Sequence, residues 1–183
     1  MDEDLELRPL PDEVLVLLGE LAAPPRLVAH LRLVHDVAAQ LADWVAEHCP
    51  GLAFDRDAVL FGAATHDIGK TAHRAELSGP GSAHEPAGRD LLLAAGVPPR
   101  LARFAAGHAD WGPSATAEDL LVSLADKVWK DGRLPELEDL LVDALARAGG
   151  GERWSWFLAL DELLSAVGES ASARLAYQAR HPL

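Results

Sequence analysis

The run Leu60-Phe-Gly-Ala-Ala-Thr-His-Asp-Ile-Gly-Lys70 sets an imidazole beside a carboxylate in a mostly apolar stretch with helical spacing. A charge without a partner is costly to desolvate there, so a chain carrying His66-Asp67 must bring other polar groups to it from elsewhere. A metal ion satisfies both side chains at once. Adjacent residues on a helix diverge by about 100°, so an ion shared by this pair would lie off the helix flank, with other helices completing its shell.

Composition limits what surrounds the pair. The chain has 183 residues, 49% hydrophobic and 25% charged, which is the size and make-up of one soluble domain with a substantial core. The apolar stretch Val14 to Leu18 is far too short to cross a bilayer. The start, Met-Asp-Glu-Asp-Leu-Glu, is acidic where a secretory signal is basic, and the expected location is the cytoplasm. Cys49 is the sole cysteine, which excludes an internal disulfide framework and a Cys-rich zinc site. Metal ligands must then come from His, Asp and Glu. A formal net charge of -13 repels phosphate backbones and argues against a broad nucleic-acid surface. A small anionic substrate is compatible with it if cations gather in one pocket.

Pro and Gly punctuate a sequence that otherwise reads as helices. Pro11 to Ala22 is the first, and Pro24-Pro25 opens a second that reaches about His48. Asp55 can cap a third, running through His66-Asp67 to about Gly69. Lys70 to Gly81 is the least regular stretch, and Ser82 and Glu85 have capping-box spacing for a helix that Gly96 ends. Pro98-Pro99 starts a helix carrying His108, Trp111-Gly-Pro113 breaks it, and Glu118 to Lys130 forms another. A helix from Pro135 and one over Trp154 to Val167 follow, separated by Gly149-Gly-Gly151. No strand-like alternation stands out. The expected fold is all-α, an irregular helical bundle forming one domain over residues 1–183.

On the second helix, His35 shares its face with Leu31, Ala38, Ala39 and Ala42, small enough for a neighbouring helix to approach. His30 competes with it from the same helix. Asp126 has Val122 and Trp129 as helical neighbours, where an unpaired carboxylate is unfavourable. His84 stands in the first turn of its helix, whose positive dipole end disfavours protonation. His108 sits near Phe104 and Trp111; His48 and His181 look incidental. A single buried histidine is more often a hydrogen-bonded core residue than a ligand, so the reading rests on the set. The aromatic cluster Trp154, Trp156 and Phe157 reads as core packing or a dimer surface.

The order His35, His66-Asp67, Asp126, each on its own helix, resembles the HD-domain metal-dependent phosphohydrolase superfamily. Arg32, the Ile-Gly-Lys tail after the pair, and Lys127 support the resemblance, which covers about residues 27–130 and leaves 131–183 as a C-terminal helical extension. It is this template that favours His35 over His30. His84 and His108 look like the additional histidines of HD subgroups that hold two metals. The resemblance implies an HD-type bundle with His35, His66, Asp67, His84, His108 and Asp126 as ligands.

The implied chemistry is metal-assisted hydrolysis of a phosphoester or phosphoanhydride, on a nucleotide or similar small phosphorylated molecule. Imidazoles and carboxylates suit one or two ions of Mn, Fe, Co, Ni or Zn better than Ca. Asp67 would bridge two ions, a metal-bound water would attack phosphorus, and Lys70, with Arg32, His73, Lys127 and Lys130, would offset phosphate charge. Three other classes compete. A mixed-valent di-iron oxygenase of the HD type would take up oxygen; a nucleotide-binding module would bind without turnover; a structural metal would have a closed shell.

Overall fold

The computed structural model describes residues 5–183, so Met1 to Asp4 of the acidic start lie outside the described residues. Nine α-helices and two short 3-10 turns make up the regular structure, and no strand occurs among the described residues. The all-α expectation holds. No helix among them is long and apolar enough to cross a membrane.

The first helix, α1, spans Asp12–Glu20, and α2 spans Pro25–His48 with proline at its first position, where a missing N–H is harmless. The third, α3 (Arg56–Thr65), is capped by Asp55, whose carboxylate accepts the Ala58 N–H at 3.0 Å. It ends earlier than its apolar pattern suggests. His66 is its C-cap, Asp67 leaves helical geometry at φ -102° and ψ 11°, and a 3-10 turn runs over Ile68–Thr71. Gly69 gives the reason: a Cβ there would lie 1.9 Å from the His84 carbonyl oxygen, so the chain tightens to press its backbone against the next helix.

A second 3-10 turn, Arg74–Leu77, lies in the stretch read as irregular and leads to α4 (His84–Ala94). The expected Ser82–Glu85 capping box does not form, since Ser82 offers only its carbonyl to the Glu85 N–H. Glu76 caps this helix from a distance instead, accepting the main-chain N–H groups of Ala83 and His84 at 3.1 Å each. Then come α5 (Pro99–Gly107), α6 (Ala117–Val128), α7 (Pro135–Gly149) and α8 (Arg153–Gly168). The α6 start is a full capping box between Thr116 and Asp119. A ninth helix, α9 (Ala171–Ala179), was not anticipated.

Long α2 packs on α3, α6 and α9, while α4 packs on α5 and α7 on both α6 and α8. Two apolar clusters result. One joins Val34, Leu41, Val59, Leu121, Leu141 and Leu164, and the other joins Val14, Leu31, Phe61, Ile68, Leu92 and Ala105. Helix α3 serves both, which fixes its C-terminal end among α2, α4, α5 and α6. In the aromatic group of α8, Trp156 turns inward against Gly149 and donates its indole N–H to the Gly150 carbonyl, whereas Trp154 is 64% exposed.

Candidate metal centre

Five helices deliver imidazoles and carboxylates to one place: His30 from α2, His66 and Asp67 from the end of α3, His84 from α4, His108 from the end of α5 and Asp126 from α6. They form two donor sets, His30–His66–Asp126 and Asp67–His84–His108, each with ligand atoms within 4.8 Å of one another. Asp67 joins them. Its Oδ2 lies 3.2 Å from His30 Nε2 and 3.7 Å from His66 Nε2. Its Oδ1 faces the other way, 3.0 Å from His84 Nε2 and 3.6 Å from His108 Nε2.

The spacing suits an ion. Donors about 2.1 Å from one cation are about 3.0 Å apart at right angles and about 3.4 Å apart at the tetrahedral angle. His30 Nε2 and His66 Nε2 are 3.3 Å apart, His66 Nε2 and Asp126 Oδ1 3.2 Å, and His30 Nε2 and Asp126 Oδ1 3.8 Å. Ring orientation agrees. His66 Nδ1 donates to the Ala63 carbonyl at 2.8 Å, and His108 Nδ1 to the Ala105 carbonyl at 3.1 Å. Carbonyls only accept, so both neutral rings must carry their proton on Nδ1 and turn the Nε2 lone pair toward the cluster. His84 Nδ1 is bound by the Glu76 carboxylate, while its Nε2 is buried, off the line of a hydrogen bond to Asp67 and without a partner. An orphaned ring nitrogen aimed among carboxylates is what a cation would complete.

Electrostatics favour anionic acids here. Burial pushes Asp67 up, but His66, His30 and His84 outweigh it and hold the carboxyl well below its ordinary range. Asp126 is likewise pulled down, against burial, by His66 and Lys127. Burial drives His66 and His84 down, yet neighbouring carboxylates reverse the sign: Asp67 and Asp126 raise His66, and Asp67 and Glu76 raise His84. The helix-dipole expectation for His84 is thus corrected, because two nearby full charges exceed the partial charge of a helix end. His108, with burial and the nearby His66 against its protonation, falls to about 4.

Against the sequence reading, His66, Asp67, His84, His108 and Asp126 come together, and His35 does not. About 140° of helix rotation separates it from His30. His35 lies buried beside Asp36, and its Nδ1 has no partner. Its small apolar neighbours marked a face packed into the core, while His30 occupies the place at the cluster that the template gave to His35.

Lys70 Nζ sits 2.6 Å from Asp67 Oδ2 and Lys127 Nζ 2.7 Å from Asp126 Oδ2. Lys70 and Lys130 line the cleft at the cluster, together with Arg26 and Gln178; Lys127 does not. Arg32 faces elsewhere. Its guanidinium donates to the Leu7 and Arg8 carbonyls at 2.9 and 3.3 Å, tying the segment before α1 to α2. His73 stands half-buried at the start of the second 3-10 turn and belongs to neither donor set. Sequence reasoning missed Glu76, Arg26 and Gln178. Glu76 stands eight residues before His84 in an irregular segment, where no spacing rule links them.

The family model described as "HD domain" matches residues 27–129, more than half of the chain. No curated protein and no solved structure matches the chain. The matched segment runs from Leu27 on α2 to Trp129 after α6 and contains all six cluster residues. The chain belongs to the HD domain family, whose members are generally metal-dependent hydrolases.

Proposed function

We propose that the protein is a metal-dependent phosphohydrolase that cleaves a phosphoester or phosphoanhydride of a small phosphorylated molecule, a nucleotide or a compound of similar size. The observation that carries this reading is the shared orientation of His66, His84 and His108, each tied at Nδ1 so that Nε2 faces Asp67 or Asp126. His30, His66, Asp67 and Asp126 would hold one divalent ion, and Asp67, His84 and His108 a second. Mn, Fe, Co, Ni or Zn suits imidazole and carboxylate donors. Such ions supply a water of lowered pKa at neutral pH and neutralise charge on phosphoryl oxygens.

The protein's own groups do the rest. Asp67 divides its two oxygens between the donor sets. Glu76 fixes the His84 ring through Nδ1, and the Ala63 and Ala105 carbonyls do the same for His66 and His108. Lys70 and Lys130, at the edge of the cleft, bind phosphate oxygens and orient the scissile bond. Metal analysis followed by a phosphatase panel of nucleotides and other phosphoesters, with added Mn, Co or Fe, tests the proposal. Phosphate release without oxygen uptake is expected, and Asp67→Ala should abolish it. Full activity in that variant refutes the site; oxygen consumption with an iron-loaded protein points to oxygenation instead.

A further inference from the structure

A cleft of about 170 Å³ opens at the cluster, with His30 and Asp67 in its wall and Arg26, Lys70, Lys130 and Gln178 around them. A second cavity of about 320 Å³ shares Arg26, Trp129, Lys130 and Gln178 with it and extends to Leu175. The two form one path leading from the donor cluster along α9. That helix lies outside the HD match, yet it is firmly held at both ends. Arg174, 3% exposed, donates to the Trp129 carbonyl at 3.2 Å and the Val167 carbonyl at 2.8 Å. At the other end, Arg26 donates to the His181 carbonyl at 2.9 Å and the Ala179 carbonyl at 3.3 Å, and its main-chain N–H reaches Pro182 O at 2.9 Å.

Between these anchors stands Gln178. Its Oε1 is buried and has no hydrogen-bond partner, and the Trp129 indole N–H on the same wall is also unpartnered. Folded proteins seldom leave buried polar atoms unpaired, because the desolvation is then uncompensated. Arg26 and Lys130 line both spaces, Lys70 joins them where the cleft meets the carboxylates, and Gln178 and Trp129 add neutral hydrogen-bonding groups along the same wall. This combination of cations and neutral polar groups matches a molecule with an anionic head and a hydrogen-bonding body.

We propose that Gln178 is a specificity-determining residue, its amide hydrogen-bonding an N–H or O–H on the organic part of the substrate while the phosphate lies at the donor cluster. The assignment rests on the phosphohydrolase reading for the phosphate end alone. It gives the C-terminal helix a role in selecting what is hydrolysed.

The test compares the full-length Mn-loaded protein with Gln178→Met, which keeps length and removes the amide. Two probes are used: AMP, rich in hydrogen-bonding groups, and 4-nitrophenyl phosphate, whose organic part has no N–H or O–H. The ratio of kcat/KM for AMP over 4-nitrophenyl phosphate should fall about tenfold, the worth of one hydrogen bond to a buried group. An unchanged ratio overturns the proposal, whether both rates fall together or neither moves. Thermal unfolding checks that the variant folds, and Gln178→Leu, which also lacks the amide, carries the same comparison if it does not. If the wild type hydrolyses neither probe, the wider phosphatase panel judges the phosphohydrolase reading separately, and calorimetric AMP binding decides the role of Gln178. About tenfold weaker binding in the variant sustains the role of Gln178, while equal affinity or no AMP binding ends it.

Discussion

His30 and His35 sit on one helix with the same side chain and opposite fates, and the difference is one of angle. Replacing His30 with Ala should strip the protein of tightly held metal, whereas His35→Ala should retain it; metal content after dialysis reads the difference, and loss in both or neither rejects the assignment. His35 has its own signature. Burial is the largest influence on it and lowers it from the ordinary 6.5, so the folded protein prefers the neutral ring. The unfolded chain binds a proton as pH falls through 6.5 before the folded chain does. The stability that His35 contributes is therefore complete above that pH and drains away as pH falls toward the lowered folded value. His35→Leu should flatten this acid-side decline relative to the wild type, as urea midpoints across the range would show. Parallel decline in the two proteins contradicts it.

At the level of elements, the centre depends on how closely the turn after α3 approaches α4. Gly69 is the contact point, with no room for a Cβ against the His84 carbonyl. Gly69→Ala should cost about 1–3 kcal/mol of stability by overpacking, and it should lower activity as well, because the shift separates His84 from Asp67. Gly19 in α1 has nothing within 4 Å of a Cβ, so Gly19→Ala should instead stabilise by roughly 0.5–1 kcal/mol. Chemical denaturation of the two variants checks both signs. Equal effects would show that the close approach is not the controlling contact. The helix caps divide in the same way: Asp55 and Thr116 act on neighbours three residues on and could be read from spacing, at least for Asp55. Glu76 reaches α4 across a loop, so only folded coordinates reveal it.

Across the whole molecule, a net charge of -13 surrounds a cleft whose edge carries Arg26, Lys70 and Lys130. Long-range repulsion should slow the arrival of an anionic substrate, and screening should relieve it. We expect kcat/KM for a nucleotide to rise as ionic strength increases from about 0.01 M to 0.1 M, where the Debye length shrinks from about 30 Å to about 10 Å. A fall over that range would mean that the local cations, not the global charge, govern encounter. The amino-acid sequence alone determined the helical class, most helix starts and the presence of a buried His-Asp centre, because apolar periodicity, proline placement and the penalty for burying unpaired charge all act locally. Only the tertiary structure decided that His30 rather than His35 joins the cluster, that Arg32 turns away from it, that Glu76 reaches it through His84, and that Gln178 lines its cleft. Those outcomes depend on helix rotation and on contacts between segments distant in the chain, and no local spacing encodes either.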